Sequence, residues 1–380
     1  MYETHFELTA IGRRLLLASV LALIPLSIQS AWAQTETVLY NFCSQGVNCL
    51  DGGGPAAGLI MDKEGDLYGT TAFGGAYGID CDPFPQGCGT VFQLNPSGTE
   101  TVLHSFANNG TDGFYPFAGL IMDANGNLYG TTFGGGANAC EDVHCGTVFE
   151  LTAGGTETVL HSFAPKGTII DGISPEAGLI LDANGNLYGT TNEGGAHGYG
   201  TAFELSPPTR KGGGWTETIL HSFASNGADG LHPRAGLIMD AKGNLYGTTP
   251  GGGSYGSGGT VFEISPPAKK GDAWTETVLH SFTCPQGSGC ADGILPVAGL
   301  IMDANGDLYG TTNQGGAYGY GTVFELSPSG TETILHNFLD NWTDGGLPDA
   351  GLIMDAKGNL YGTTSYGGTY DGGTVFRVVP

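Results

Sequence analysis

From residue 35 to the end, short apolar runs alternate with clusters of Gly, Pro, Asn and Asp. The runs are rich in Val, Ile, Leu, Phe, Tyr and Thr, the composition of half-buried strands. None has the length or the three-to-four spacing of an amphipathic helix. The runs also recur in a fixed order. Ala-Gly-Leu-Ile-Met-Asp, or a near copy, begins at Ala57, Ala118, Ala177, Ala235, Ala298 and Ala350, a period of 52 to 63 residues. Each copy is followed by a turn and Leu-Tyr-Gly-Thr-Thr, with tyrosines at 68, 129, 188, 246, 309 and 361. A Gly-rich loop then leads to Gly-Thr-Val-Phe-Glu-Leu, and a last run reads Thr-Glu-Thr-Val-Leu-His-Ser-Phe.

Four short strands repeated six times predict an all-β protein, a six-bladed β-propeller of four-stranded antiparallel blades. The turn between the first two strands reads Asp123-Ala124-Asn125-Gly126 or a variant, and Asn-Gly supplies the positive φ of a tight hairpin. The repeat is out of phase with the chain. Glu36–Phe42 reads as an outer strand with no inner strands before it, and 350–379 lacks an outer strand after it. The expectation is a three-plus-one clasp, in which the N-terminal strand completes the sixth blade and closes the ring.

The words GLIMDANGNLYGTT, GTVFELSPSGTET and LHSF resemble the tandem repeats of bacterial choice-of-anchor, GloVer-containing proteins. The likeness covers essentially all of 35–380. More distantly, the pattern is similar to NHL-type propeller repeats. The resemblance implies an exported bacterial repeat protein and carries no established activity or catalytic residues. It also implies an anchoring tail. None is legible before Pro380, so surface anchoring is not expected.

The first 33 residues stand apart from the repeats. Arg13 and Arg14 precede an apolar run from Leu15 to Ile28, and Ala31-Trp32-Ala33 makes a small-x-small cleavage site. This is the layout of a signal peptide cut after Ala33, and it predicts a secreted or periplasmic protein. The domains are therefore 1–33, signal peptide, and 34–380, propeller. No later run is long enough to cross a membrane. Twelve Lys and Arg against 37 Asp and Glu give a net charge of −25, which excludes nucleic acid and anionic membranes as partners. The eight cysteines fall into close pairs, Cys43/Cys49, Cys81/Cys88, Cys140/Cys145 and Cys284/Cys290. In an exported chain these read as local disulfides. No Cys-x-x-Cys is present for zinc.

Repetition separates scaffold from site, because a ligand sees particular blades differently. His104, His161, His221, His280 and His336 recur at one outer-strand position and read as inter-blade hydrogen-bonding groups. The Asp-Gly aspartates at 51, 112, 171, 229, 292 and 344 read as turns, with a ring of carboxylates holding a cation as the alternative. No cofactor is expected beyond a Ca2+ ion in such a place, and no metal ligands are assigned. The variable, cysteine-bearing loops display aromatics suited to stacking on sugars: Tyr115, Tyr199, Tyr255, Tyr318, Tyr320, Trp342 and Tyr370. One position breaks symmetry beside the loop proline, and its Glu176, Arg234 and Asp349 are the candidates for acid/base chemistry. On the opposite face, two long hairpins carry Arg210-Lys211 with Trp215 and Lys269-Lys270 with Trp274, a candidate docking patch.

The leading functional expectation is a monomeric binding module for extracellular carbohydrate or an envelope or extracellular protein. An enzyme of the lyase or hydrolase type, acting on polysaccharide or lactone, is the alternative, and a structural cell-envelope protein is a third. No nucleophile motif or phosphate loop is present.

Overall fold

The repeated words become strands in the predicted order. The computed structural model describes residues 37–45, 49–77, 81, 87–137, 145–164, 171–254, 258–269, 271–284 and 290–380. Leu39–Pro380 forms one compact unit. Of the other unit, Met1–Val38, only Thr37 and Val38 are among the described residues. The expected signal segment, Glu36, Tyr255 and Cys140 lie outside them.

In the first blade the strands are Ile60–Met61, Leu67–Thr71, Thr90–Leu94 and Glu100–Ser105, antiparallel and adjacent in that order. Four more blades repeat this order, and a sixth contains Ile353–Met354, Leu360–Thr364 and Thr374–Val378. The described residues contain no helix. The result is an all-β, six-bladed propeller.

The register explains why the words are invariant. In the third blade, Gly189 lies opposite Phe203, and a Cβ on the glycine would stand 2.7 Å from the Phe203 ring and 2.9 Å from Leu179. Only glycine leaves room for the ring. The following Thr191 shares an Oγ1–Oγ1 hydrogen bond of 2.9 Å with Thr201, and its hydroxyl donates to the Glu193 carbonyl, so the buried hydroxyls are satisfied. The hairpin aspartates behave as the turn reading expects. Asp182 Oδ1 accepts from the Asn184 and Asn186 amides, and its Oδ2 accepts from Tyr188.

The core is divided into layers between blades. One cluster joins Tyr129 and Val148 of the second blade to Leu187, Phe203 and Leu205 of the third. The Phe ending each outer strand packs edge-on against the third-strand Phe of the next blade: Phe106 on Phe149, Phe163 on Phe203, Phe223 on Phe262, Phe282 on Phe324, and Phe338 on Phe376, with centroids 5.0 to 5.3 Å apart. Near the axis, the Thr131 hydroxyl donates to the carbonyl of Ala177 in the next blade, and a Cβ on Gly178 would lie 3.4 Å from the Gly119 carbonyl oxygen.

The clasp requires correction. Within Leu39–Phe42 no strand forms, and the sixth blade has three strands, with no outer partner for Thr374–Val378 among the described residues. The segment is instead engaged by the first blade. Phe42 stacks edge-on against Phe92 at 4.9 Å, and Tyr40 donates to Asp51 at 2.9 Å. Phe42 thus fills, for the first blade, the place that Phe106 fills for the second. The face of the sixth blade that earlier blades bury against their successors stays uncovered, with Val375 82% exposed where Val91 is fully buried.

Candidate functional site

The loop leaving each outer strand and the loop joining the second and third strands of the next blade are tied into one layer. Gly345–Gly346 pairs antiparallel with Tyr366–Gly367, as Gly113–Phe114 does with Gly134–Gly135. This loop face holds the disulfides Cys43–Cys49, Cys81–Cys88 and Cys284–Cys290. Cys145 is also disulfide-bonded.

The structure sorts the predicted aromatics into three groups. Tyr115 is 1% exposed, and its hydroxyl donates to the Cys81 carbonyl, so it belongs to the core and not to a binding surface. Cys81 and Cys88 share its buried cluster. Tyr199 is half-buried against His232, ring centroids 5.5 Å apart. Tyr318, Tyr320, Trp342 and Tyr370 are exposed, with Trp342 at 78% and Tyr370 at 95%. Tyr366 is exposed as well.

These exposed rings sit on loops that hydrogen-bond to one another. The Leu347 amide donates to the Tyr320 carbonyl, Gly346 pairs with Tyr366, and the Thr369 hydroxyl donates to the Trp342 carbonyl. The Gly316 amide donates to the Cys290 carbonyl at 2.7 Å, so Cys290 braces the Tyr318 loop. Trp342, Tyr370 and Thr343 border an open groove of about 800 Å³.

Glu176 and Arg234 meet across the junction of the third and fourth blades, Oε2 to Nε 3.8 Å. Asn192 donates to Glu176 at 2.7 Å, and its Oδ1 lies 3.2 Å from His232 Nδ1. His232 is the member that sequence reasoning missed. It stands just before the loop proline with φ +59°, a conformation non-glycine residues rarely adopt. Asp349 does not join them. It accepts from Asn313 at 2.6 Å and from Ser365 at 2.5 Å in the sixth blade.

The Asp-Gly carboxylates form no ring. Each is tied to the outer strand its chain has just left: Asp229 Oδ2 accepts from the Ala224 amide at 2.9 Å and lies 3.0 Å from His221 Nε2. A glutamate of the next blade completes four of these sets. The trios His104–Asp112–Glu157, His161–Asp171–Glu217, His221–Asp229–Glu276 and His280–Asp292–Glu332 bring ligand-capable atoms within 4.8 Å of one another. In each, Glu Oε1 is buried without a hydrogen-bond partner. Burial, then Asp112, pushes Glu157 up to about 7, and burial, then Asp229, does the same to Glu276. Burial also raises Glu332 to about 7, against the pull of His280. Glu217 is raised by burial and by the adjoining Asp171. The arrangement recurs at four blade junctions, with the recurring histidine facing the Asp-Gly carboxylate in each.

The two long hairpins give no aromatic docking patch. Trp215 packs on Tyr129 and Trp274 on Tyr188, ring centroids 6.5 and 6.3 Å apart. Their indoles fill blade junctions.

The chain is similar in structure to a protein assigned as a 6-phosphogluconolactonase from Bacteroides uniformis, with TM-score 0.50 and 15% identity over 85% of this chain and 83% of that one. It is also similar to a protein of unknown function from Dyadobacter fermentans, with TM-score 0.44 and 12% identity over 84% and 92% of the two chains. A luciferin-regenerating enzyme gives TM-score 0.44 and 16% identity over 86% and 91%. At such identities the first likeness speaks of fold alone. No curated protein matches by sequence. The Gloeobacter/Verrucomicrobia repeat matches residues 27–164, 76–293 and 213–380. With matches spanning 27 to 380 and a propeller of six such repeats beneath them, the chain belongs to the Gloeobacter/Verrucomicrobia repeat family.

Proposed function

We propose that this propeller is an exported carbohydrate-binding module that takes its ligand on the loops of the fifth and sixth blades. The observation that carries the reading is the group of five exposed aromatics, Tyr318, Tyr320, Trp342, Tyr366 and Tyr370, on mutually hydrogen-bonded loops. Aromatic faces offered to water bind the apolar face of a sugar ring, while nearby hydroxyls such as Thr343 and Thr369 take its polar edge. Loops braced by backbone hydrogen bonds and a disulfide lose little freedom on binding. A net charge of −25 favours neutral glycans over uronic-acid polymers. The disulfides suit an oxidising compartment, which supports removal of 1–33 on export.

The test is a glycan array followed by titration calorimetry on the oxidised chain 34–380. The reading expects saturable binding of a neutral glycan, weakened at least tenfold by Trp342→Ala or Tyr370→Ala. Binding indifferent to both substitutions, or none to any neutral glycan, would sink it. A second reading, a hydrolase or lyase acting on polysaccharide or lactone, is favoured by the linked Glu176, Asn192, His232 and Arg234. It expects turnover abolished by Glu176→Gln, and absence of turnover on a bound glycan removes it.

A further inference from the structure

The face opposite the sugar-binding loops contains a cavity whose shape the protein itself explains. Trp215 stands immediately before Thr216-Glu217, and Trp274 before Thr275-Glu276. In the second blade that position is Gly155, before Thr156-Glu157. At the junction of the second and third blades, the Trp215 ring lies against Tyr129 and joins Leu160 and Leu181 over the buried cluster. One junction earlier, the equivalent residues are Tyr68, Leu103 and Met122. With Gly155 in place of the tryptophan, they line an open cavity of about 670 Å³. A Cβ built on Gly155 meets nothing within 4 Å.

The cavity is therefore the space an indole occupies at the next two junctions. Its floor is the Tyr68 ring, and its walls include Met61 and Met122, whose thioethers pack well against aromatic rings. Three carboxylates, Asp62, Glu64 and Asp123, stand at its rim against one cation, Lys63. That balance favours a ligand bearing positive charge.

We propose that the cavity between the first and second blades binds a cationic indole, an indole ring carrying an alkylammonium group. The site is separate from the sugar-binding loops, and its failure would leave that reading standing.

The test titrates the chain 34–380 with tryptamine, indole and indole-3-acetate, following Tyr and Trp fluorescence and calorimetry. Tryptamine is expected to bind saturably, at least tenfold tighter than indole-3-acetate, with the preference shrinking as salt rises. Gly155→Trp should abolish binding. Because Gly155 has φ +82°, that variant is strained. Trp215→Ala supplies a second measure: it opens an equivalent space and should raise the tryptamine stoichiometry by one. No saturable binding of tryptamine would overturn the proposal. So would a stoichiometry unchanged by Trp215→Ala, or equal affinity for tryptamine and indole-3-acetate.

Discussion

Glu217 reaches across the boundary between the second and third blades to place Oε2 3.6 Å from His161 Nε2. The equivalent glutamates 157, 276 and 332 are held near 7 mainly by burial. A carboxyl whose folded pKa is raised favours the folded state while protonated. Its contribution is complete below the unfolded value of 4.5 and is lost as pH rises through about 7. Urea melts between pH 4.5 and 7.5 should therefore show stability falling with pH. Glu276→Gln should flatten that slope, and a slope unchanged by the substitution would contradict the assignment.

The hairpin aspartates act in the opposite sense. A hydrogen bond from the Asn359 amide side chain, followed by backbone donors, lowers Asp355 to about 2. Its contribution is present above the ordinary aspartate value of 3.8 and is lost as pH falls towards 2. Carboxyl NMR titration should place its midpoint near 2, and Asp355→Ala should speed amide exchange in the Ile353–Leu360 hairpin.

Gly189→Ala should cost about 1–3 kcal/mol, because its Cβ would enter the space of Phe203 and Leu179. Pairing it with Phe203→Leu should recover part of the loss, read as non-additivity in chemical melts.

Phe42 and Phe163 make the same kind of contact on the first and third blades, but Phe42 is half-buried and Phe163 fully buried. Phe163→Ala should cost about 3–5 kcal/mol, and Phe42→Ala less than half of that. Equal losses would mean that the N-terminal segment is covered more fully than the contact with Phe92 implies.

Replacing Cys284 and Cys290 by Ser removes a bridge with a sequence separation of 6. Unfolding should become easier by about 2 kcal/mol on the chain-entropy account. Neutral-glycan affinity should fall as well, since Cys290 braces the loop carrying Tyr318. Calorimetry on the variant separates the two effects.

Most of the architecture was legible because each blade repeats the same constraint. Leu-Tyr-Gly-Thr-Thr is a strand whose glycine admits a ring and whose last threonine bonds the threonine opening the next strand, six times over. Burial of individual loop residues was not legible. Tyr115 and Tyr370 are both loop tyrosines in the sequence, and only the packing of the first with Cys81 and Cys88 decides that one is core and the other surface. The same holds for Trp215, which reads as an exposed hairpin tip until Tyr129 is found beneath it. The recurring glutamates were visible as a pattern. Their burial depended on the histidine of the preceding blade, a pairing that no single repeat contains. The clasp went astray for a related reason. Phe42 could be assigned its side-chain partner from the repeat, but strand pairing requires the two ends of the chain to meet.

The threonine-to-alanine bonds that step from blade to blade span only 45 to 50 residues each. No such link asks the chain to find a partner more than one module away. Topology of this kind keeps loop-closure entropy small at every step, so order can spread from one nucleated blade to its neighbour. A chain emerging N-terminus first, from a ribosome or a translocation pore, can therefore begin to fold before its last modules have appeared.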